Sequence, residues 1–501
     1  MIKRYPLAFA VLTLMISLGC QLGPDYRQPK MELPRSWPKE AAATPDELKR
    51  WEDWREWWAL FDDPSLAFLI GRALKDNLDI RLQLARIRET HARLGLAKAN
   101  RLPTLDLQAE ASRERYPDIY GNRTSGFLEG GDSLRGGGGA ITANLFSVSG
   151  VLGYEVDLWG RLARQQESAE ALLAQSVFAR DALRLTTSAD VATSYFNLLS
   201  AQEELAILRR TLLTRRQTLE IERNRYEAGA IDALALSQVR AELESVRARI
   251  PAQRERVALL KTALAVLIGM EPDELFSRLD FGRRRLASLS LEAGTPSFLP
   301  SELLLRRPDI RAAEATLAAA TADIGVSLAE RLPRLDLASF IGSTASATGD
   351  MFSDPSKSWG ITASVFGPIL DFGRNKARVE TSKALRDQAE ARFRITVQTA
   401  FQEVRNALIV YTTSRDRYEA IQRQTRALQN TLKLASVRYQ EGSALLLEVL
   451  DAERALLDAE LGLTLAKRDT LNAVATLFKA MGGGWEAPPA FREAVMAKPN
   501  G

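Results

Sequence analysis

The sequence predicts an α+β fold built from two copies of one unit, each a helix, a β-hairpin and a very long helical hairpin. Three observations carry that expectation. Short motifs recur in one order: Arg101-Leu102-Pro103-Thr104-Leu105-Asp106-Leu107 returns as Arg331-Leu332-Pro333-Arg334-Leu335-Asp336-Leu337, Asp157-Leu158-Trp159-Gly160-Arg161 as the shorter Asp371-Phe372-Gly373-Arg374, and Arg225-Tyr226-Glu227-Ala228-Gly229 as Arg438-Tyr439-Gln440-Glu441-Gly442. Residues 161–228 and 374–441 are two runs of 68 residues without Gly or Pro. Ahead of each run lie patches that alternate apolar and polar residues. Two halves with one pattern build one object together, so the 501 residues do not read as two or three unrelated domains.

The chain opens with a short basic head, Met1 to Arg4, and an apolar run from Leu7 to Leu18. That is a signal-peptide layout over 1–19, too short for a spanning helix. The run ends at Gly19-Cys20, and Cys20 is the only cysteine, so no intramolecular disulfide is available. Two readings remain: a small buried thiol, or the lipid-modified first residue of a bacterial lipoprotein. Gln21 follows it, and Ser17 stands where such signals usually carry leucine. Acyl tails would add roughly 0.8 kcal/mol per buried methylene. Residues 20–64, rich in Pro and Trp, read as an extended segment leading away from that anchor. Their tryptophans pack against the body of the protein or form a ligand cage. Beyond the leader no stretch approaches 18 apolar residues, so any membrane passage falls to strands of about 9–11 residues.

Repeat one covers 65–269. Helical periodicity runs from Ser65 to about Asn100, with Leu66, Leu69, Ile70, Ala73 and Leu74 on one face, weakened only locally by Asn77 and Gly95. Pro103 marks the boundary. Leu105 to Ala111 alternates with period two, 116–139 is a glycine-rich loop, and Ile141 to Val156 is strand-like again. Repeat two covers 301–481, with strands at Leu335 to Ile341 and Trp359 to Leu370 around a loop near 342–356. Asp106 and Gly160 lie 54 residues apart, Asp336 and Gly373 only 37, and the excess falls where a surface loop tolerates it. Each Gly- and Pro-free run makes a helix about 100 Å long at 1.5 Å per residue, against a mean of about 11–12 residues in globular proteins. Helical pattern resumes over Ile231–Ile268 and Ser443–Met481, with Pro251 expected to bend the first of these. Both the tip motifs and the helix starts at Arg161 and Arg374 are 213 residues apart, so register is kept along the whole helix.

With 67 basic and 63 acidic residues and no single-sign block, nothing points to nucleic acid. One histidine, His91, and one cysteine cannot supply a conventional metal cluster or a Cys-His pair. The run Gly136 to Gly139 lacks the lysine of a phosphate loop. No catalytic or metal-binding set is expected. Two hairpins give four strands, too few to close a barrel, and open edges cannot sit in hydrocarbon. A membrane sheet therefore needs further copies; three would give twelve strands and a twelve-helix tube.

Cys20 with Gly23-Pro24-Asp25-Tyr26 and Pro29, Arg307-Pro308-Asp309-Ile310, Phe366-Gly367-Pro368 with Asp371-Phe372-Gly373-Arg374, Val449-Leu450-Asp451-Ala452, and Gly482-Gly483-Gly484-Trp485 occur in one order and spacing. Together they resemble the outer membrane efflux protein family, in the lipid-anchored branch that serves resistance-nodulation-division pumps. The resemblance covers nearly the whole mature chain. It implies a homotrimer in the outer membrane: a twelve-stranded β-barrel continued by a long periplasmic α-helical barrel. An equatorial domain would draw on 20–64, 270–300 and the tail 482–501. Such proteins are passive exit ducts for small molecules, joined to an inner-membrane pump by a periplasmic adaptor, with no cofactor beyond the lipid on Cys20. A channel for type I protein secretion is the alternative.

The resemblance also places a periplasmic gate at Leu447 and Asp451, four apart on one helical face. Three copies would give an apolar constriction and a negative ring. Periodicity alone makes Leu447 a core residue and Asp451 a solvated one. Copy one carries Leu234 and Gln238 there. At the tips, Gly229 and Gly442 let the chain reverse. Arg225, Tyr226, Arg438 and Tyr439 either cap the helix ends or hold neighbouring hairpins together and meet the adaptor.

Overall fold

The computed structural model describes residues 21–31, 54–116, 141–273, 285–289 and 307–483. The elements are α1 (Pro64–Asp76), α2 (Leu78–Ala99), β1 (Thr104–Tyr116), β2 (Ile141–Val156), α3 (Arg161–Glu227), α4 (Ala233–Leu267), α5 (Pro308–Ala329), β3 (Arg334–Ala345), β4 (Lys357–Phe366), α6 (Arg374–Gln440) and α7 (Leu446–Ala480). The duplication holds to the residue: α3 and α6 have 67 residues each, α4 and α7 have 35, and α2 and α5 have 22. Good helix formers without Gly or Pro propagate without interruption once nucleated. The stops are equally local. After α3, Gly229 at φ +73 donates to the Tyr226 carbonyl and Ala230 donates to that of Arg225. After α6, Gly442 at φ +72 and Ser443 repeat the pattern onto Tyr439 and Arg438. Both are Schellman caps, which need a residue in the left-handed region.

Three local expectations are corrected. The helix from Ser65 to Asn100 is two helices. Asn77 leaves the helical region (φ −59, ψ 130); its Oδ1 accepts from the amides of Asp79 at 2.9 Å and Ile80 at 3.1 Å, and its Nδ2 donates to the Leu267 carbonyl at 2.9 Å. A side chain that caps the second helix while ending the first leaves the apolar spacing intact, so periodicity hides the break. Strand β4 stops at Phe366, not Leu370, because Pro368 cannot donate to a ladder. The segment ahead of α1 is not wholly extended: Trp54–Phe61 is 3-10 helix broken at Glu56. Within α4, the helix continues through Pro251. No described helix is long and apolar enough to cross a membrane.

Contacts divide the chain into two compact units. The first comprises Met1–Gln28, Glu89–Leu173 and Thr316–Ala389 and contains the sheet; the second comprises Pro29–Arg88, Ala174–Ala315 and Glu390–Gly501. In the first, the segment Leu22 to Asp25 is tied to the start of α3. The nearly buried Arg164 guanidinium donates to the carbonyls of Leu22 at 3.0 Å and Gly23 at 3.2 Å, and to Asp25 Oδ1 at 2.9 Å.

In the second unit, Trp57 packs against the body: its ring stacks on Phe478 with centroids 5.3 Å apart and meets Phe61 edge-on at 6.2 Å. Asp63 caps α1 by accepting from the Ser65 amide and also accepts from the Tyr195 hydroxyl, both buried beside that cluster. Leu205, Ile207, Leu208, Val246, Ile250 and Leu457 form a core between α3, α4 and α7. Only 285–289 of the expected equatorial connector 270–300 is described beyond Asp273. That piece is fastened to α7 by Lys467 Nζ, which donates to the Ala287 carbonyl at 2.6 Å. Burial pushes the Lys467 ammonium down to about 8, with Glu203 acting against the shift.

Candidate functional site

The sheet order is β1-β2-β3-β4, each neighbour antiparallel, so β1 and β4 each have one partner and one open edge within the chain. Register sorts the side chains onto two faces. Leu105, Leu152, Ser339 and Ile361 form one row, Leu107, Gly150, Ile341 and Trp359 the next, and Tyr154, Leu337 and Ala363 a third. The opposite face carries Gln108, Ser149, Gly342 and Ser358, then Glu110, Ser147 and Thr344, then Glu155, Asp336 and Ser364. Phe340, on the polar side, lies over Gly360, where a Cβ would come within 2.6 Å of its ring. On the apolar side Leu105, Leu107, Ile341, Trp359 and Ile361 are 73–80% exposed. A face this apolar and this uncovered suits hydrocarbon, and its reverse suits water.

The helix tips bring some of the predicted residues together. The Tyr439 hydroxyl donates to Glu222 Oε2 at 2.9 Å, Arg225 lies over the Tyr439 ring at 5.0 Å, and its Nη1 donates to Glu222 Oε1 at 3.4 Å. Burial raises the Tyr439 phenol, and the bond to Glu222 raises it further. Beneath them Val239, Leu446 and Leu450 form a small core with Leu219 and Ala235. This joins the tip of copy one to the tip of copy two. Arg438 turns instead to its own tip, donating to the Ser443 carbonyl at 3.1 Å with Glu448 at 3.7 Å. Tyr226, the counterpart of Tyr439, is exposed. Copy two has Ala435 where copy one has Glu222, so the carboxylate is not duplicated.

On α7, Leu447 is 44% exposed, which removes it from the core. Asp451 accepts from Arg454 Nη1 at 2.6 Å; Arg454 Nε donates to Glu242 Oε1 at 2.6 Å, and Glu242 Oε2 accepts from Arg215 Nη1 at 2.6 Å. Glu453 lies 3.8 Å from the same Arg215 nitrogen. Burial raises the Glu453 carboxyl; Arg215 opposes this and Glu242 adds to it. Alternating charges thus run from Arg215, whose side chain is 3% exposed, out to Asp451. Sequence reasoning missed Arg215, Glu242 and Arg454. Only the Asp451–Arg454 spacing, one helical turn, was there to find.

The model of the family described as outer membrane efflux protein matches residues 69–270 and 299–483. The chain belongs to that family. Among its relatives, the probable efflux pump outer membrane protein TtgC of Pseudomonas putida is 31% identical over 497 residues, covering 98% of each chain. The cation efflux system protein CusC of Escherichia coli is 31% identical over 93% of this chain and 96% of its own. The solved open state of the Neisseria gonorrhoeae MtrE outer membrane channel superposes with a TM-score of 0.79 at 30% identity, over 93% of this chain and 98% of MtrE. As an outer membrane efflux protein, the chain presents Leu447 and Asp451 on an exposed stretch of α7 and locks Arg225 to Tyr439. Gly229 and Gly442 act as turns. Cys20, the leader 1–19, the loop 117–139 and the tail from Gly484 lie outside the described residues.

Proposed function

We infer that three copies of this chain form the passive outer-membrane exit duct of a tripartite efflux system. Small molecules reach it from an inner-membrane resistance-nodulation-division pump through a periplasmic adaptor. The observation that carries this is the two-faced, two-edged sheet of four strands joined to paired helices of 67 and 35 residues. One copy leaves its strand edges unsatisfied; twelve strands close without edges. The strands lie in the outer membrane and the long helices in the periplasm. The chain is a conduit and not an enzyme, and its family is one of channels.

Leu447 and Asp451 are the gate in this reading, supported by their exposure on one face of α7. The Glu222–Arg225–Tyr439 contact holds the two hairpins of a subunit together at rest, and the exposed Tyr226 and Arg438 offer polar contacts to a docking adaptor. A photo-crosslinking residue at Ser443, beside the second tip, tests the assignment. Capture of a resistance-nodulation-division adaptor is the expected result. Capture of an adaptor from an ATP-driven protein exporter would move the chain to type I secretion.

Lipid anchoring through Cys20 is part of the same reading. It is supported by the basic head, the apolar run and the lone cysteine at its end. Intact mass of the Cys20→Ser variant should lack the acyl increment of the native chain, while the trimer still assembles because the barrel makes its own membrane contact. An acyl mass retained on the variant would remove Cys20 from the assignment.

A further inference from the structure

The sheet sorts charge as well as polarity. β1 follows α2 directly after the Pro103 turn, so its far end, toward Tyr116, is the outer one. There the strand reads Glu110-Ala111-Ser112-Arg113-Glu114-Arg115, with Arg113 opposite Asn144 and Arg115 opposite Thr142. Alternation places Glu110, Ser112 and Glu114 on the polar face with Gln108. It places Ala111, Arg113 and Arg115 on the face of Leu105 and Leu107. Lys357, at the outer start of β4, pairs with Ser343 and shares that second face with Trp359 and Ile361. Both carboxylates thus face the side that suits water, and all three cations face the side that suits hydrocarbon.

The cations gather where the apolar face ends. From the row of Val156, Leu335 and Val365 to the row of Ala111, Phe146 and Ala345, that face carries no charge except Lys357, one row below the top. Leu335 to Ala345 measures about 34 Å along the strand, or about 25 Å of height at the usual tilt, which is the height of the apolar band in outer-membrane barrels. Arg113 and Arg115 occupy the next two rows and are exposed. The β3–β4 loop closes over the same edge. Outward Ser343 and Ala345 are buried while Thr344 between them, on the polar face, is exposed, so the loop lies on the outward side. Ser343 Oγ bonds the carbonyls of Met351 and Ser356, and Ser356 Oγ donates to the Asp350 carbonyl at 2.7 Å. Fastened by its own serines, the loop holds Phe352 83% exposed. Lys357 is tied to Asp354 at the loop's end.

We propose that Arg113, Arg115 and Lys357 form an outward rim that binds the phosphates of the outer-leaflet glycolipid, lipid A, with Phe352 set among its acyl chains. The proposal rests on the outer-membrane trimer described above, which carries three such rims. Charge complementarity selects the occupant. A guanidinium presents paired donors that match two phosphate oxygens, and a cation one or two rows above hydrocarbon lies at the depth of the headgroups. Lys357, lower on the wall, lays its stem along the apolar face and lifts its ammonium to the same level. Glu110 and Glu114 project to the other face of the wall, so no carboxylate of β1 meets the phosphates. Charges that served solubility alone would have no reason to separate by sign between the two faces of one strand.

The test titrates the full-length protein in detergent with bis-phosphorylated lipid A and counts bound lipid by native mass spectrometry. The expected result is lipid bound to the trimer, with affinity falling at least tenfold when Arg113→Gln, Arg115→Gln and Lys357→Gln are combined, and falling also for monophosphorylated lipid A and at high salt. Arg113→Lys with Arg115→Lys keeps the charge and should keep most of the binding. Glu110→Gln with Glu114→Gln, on the opposite face, should leave it unchanged; a loss there would overturn the assignment to the outward face. Equal binding by the native trimer and the triple glutamine variant would overturn the rim, and equal affinity for phosphatidylglycerol would overturn the glycolipid as its occupant. A native trimer that ignores lipid A defeats this proposal alone, whereas a chain that stays monomeric defeats the trimer on which it rests.

Discussion

A channel carrying Leu447→Ala together with Asp451→Ala should conduct several times better at rest than the native protein in a planar bilayer, and should lose most of its block by trivalent cations. The reasoning is steric and electrostatic. Leu447 is exposed within its own subunit, so its isobutyl group is available to a shared constriction and its removal leaves no cavity in the core. Asp451 is only partly neutralised: Arg454 pairs with it at 2.6 Å, but that arginine is also shared with Glu242 at the same distance. The single variant Arg454→Ala should therefore act the other way on ion preference, freeing the Asp451 charge and tightening cation block. Equal conductance and equal block in native and double-variant channels would take both residues out of the gate.

Loss of the Arg215 guanidinium should be the most damaging single change in the helical region, costing about 3–5 kcal/mol as expected when one member of a buried ion pair is removed. Arg215 is the one buried cation between Glu242 and Glu453, at 2.6 and 3.8 Å. Without it, Glu242 keeps only Arg454, and Glu453 loses the cation that opposes the rise of its carboxyl caused by burial and by Glu242. Arg215→Ala should speed the thermal loss of helical circular dichroism, a rate being the proper readout for an assembly that unfolds irreversibly. Arg215→Met combined with Glu242→Leu and Glu453→Leu should recover much of the loss, because replacing the cation and both of its carboxylates by apolar groups avoids the stranded charge. Unchanged unfolding in Arg215→Ala would show that water solvates the network freely.

Much of this architecture is legible in the sequence because its strongest signals are local. The absence of Gly and Pro between Arg161 and Ala228, or Arg374 and Glu441, forecasts a single long helix, and the glycine that follows forecasts its end. Period-two alternation at Leu105 to Ala111 forecasts a two-faced strand, and the register bears that out across all four strands. What escapes is whatever depends on a partner distant in sequence. The two Arg-Tyr pairs look alike, yet Tyr439 is half-buried against Glu222 while Tyr226 is exposed; the residue that decides lies outside both motifs. The Arg215–Glu242–Arg454 network joins three helices and has no periodicity to betray it. Asn77 escapes for a different reason, since a break that preserves apolar spacing is invisible to a method that reads spacing.

Helices of 67 residues in both repeats, followed by helices of 35 in both, behave as matched rulers. Deleting one residue from α3 would swing everything beyond it by about 100° and pull it back by about 1.5 Å. Glu222 would then point away from Tyr439. A shorter arm that still faces its neighbours correctly requires the loss of roughly seven residues, two turns, with only about 20° of residual rotation. The same length would have to leave all four hairpin helices at once. Reach is thus quantised: this scaffold can span a wider or narrower periplasm only in coordinated two-turn steps, and chance single-residue insertions are confined to its loops.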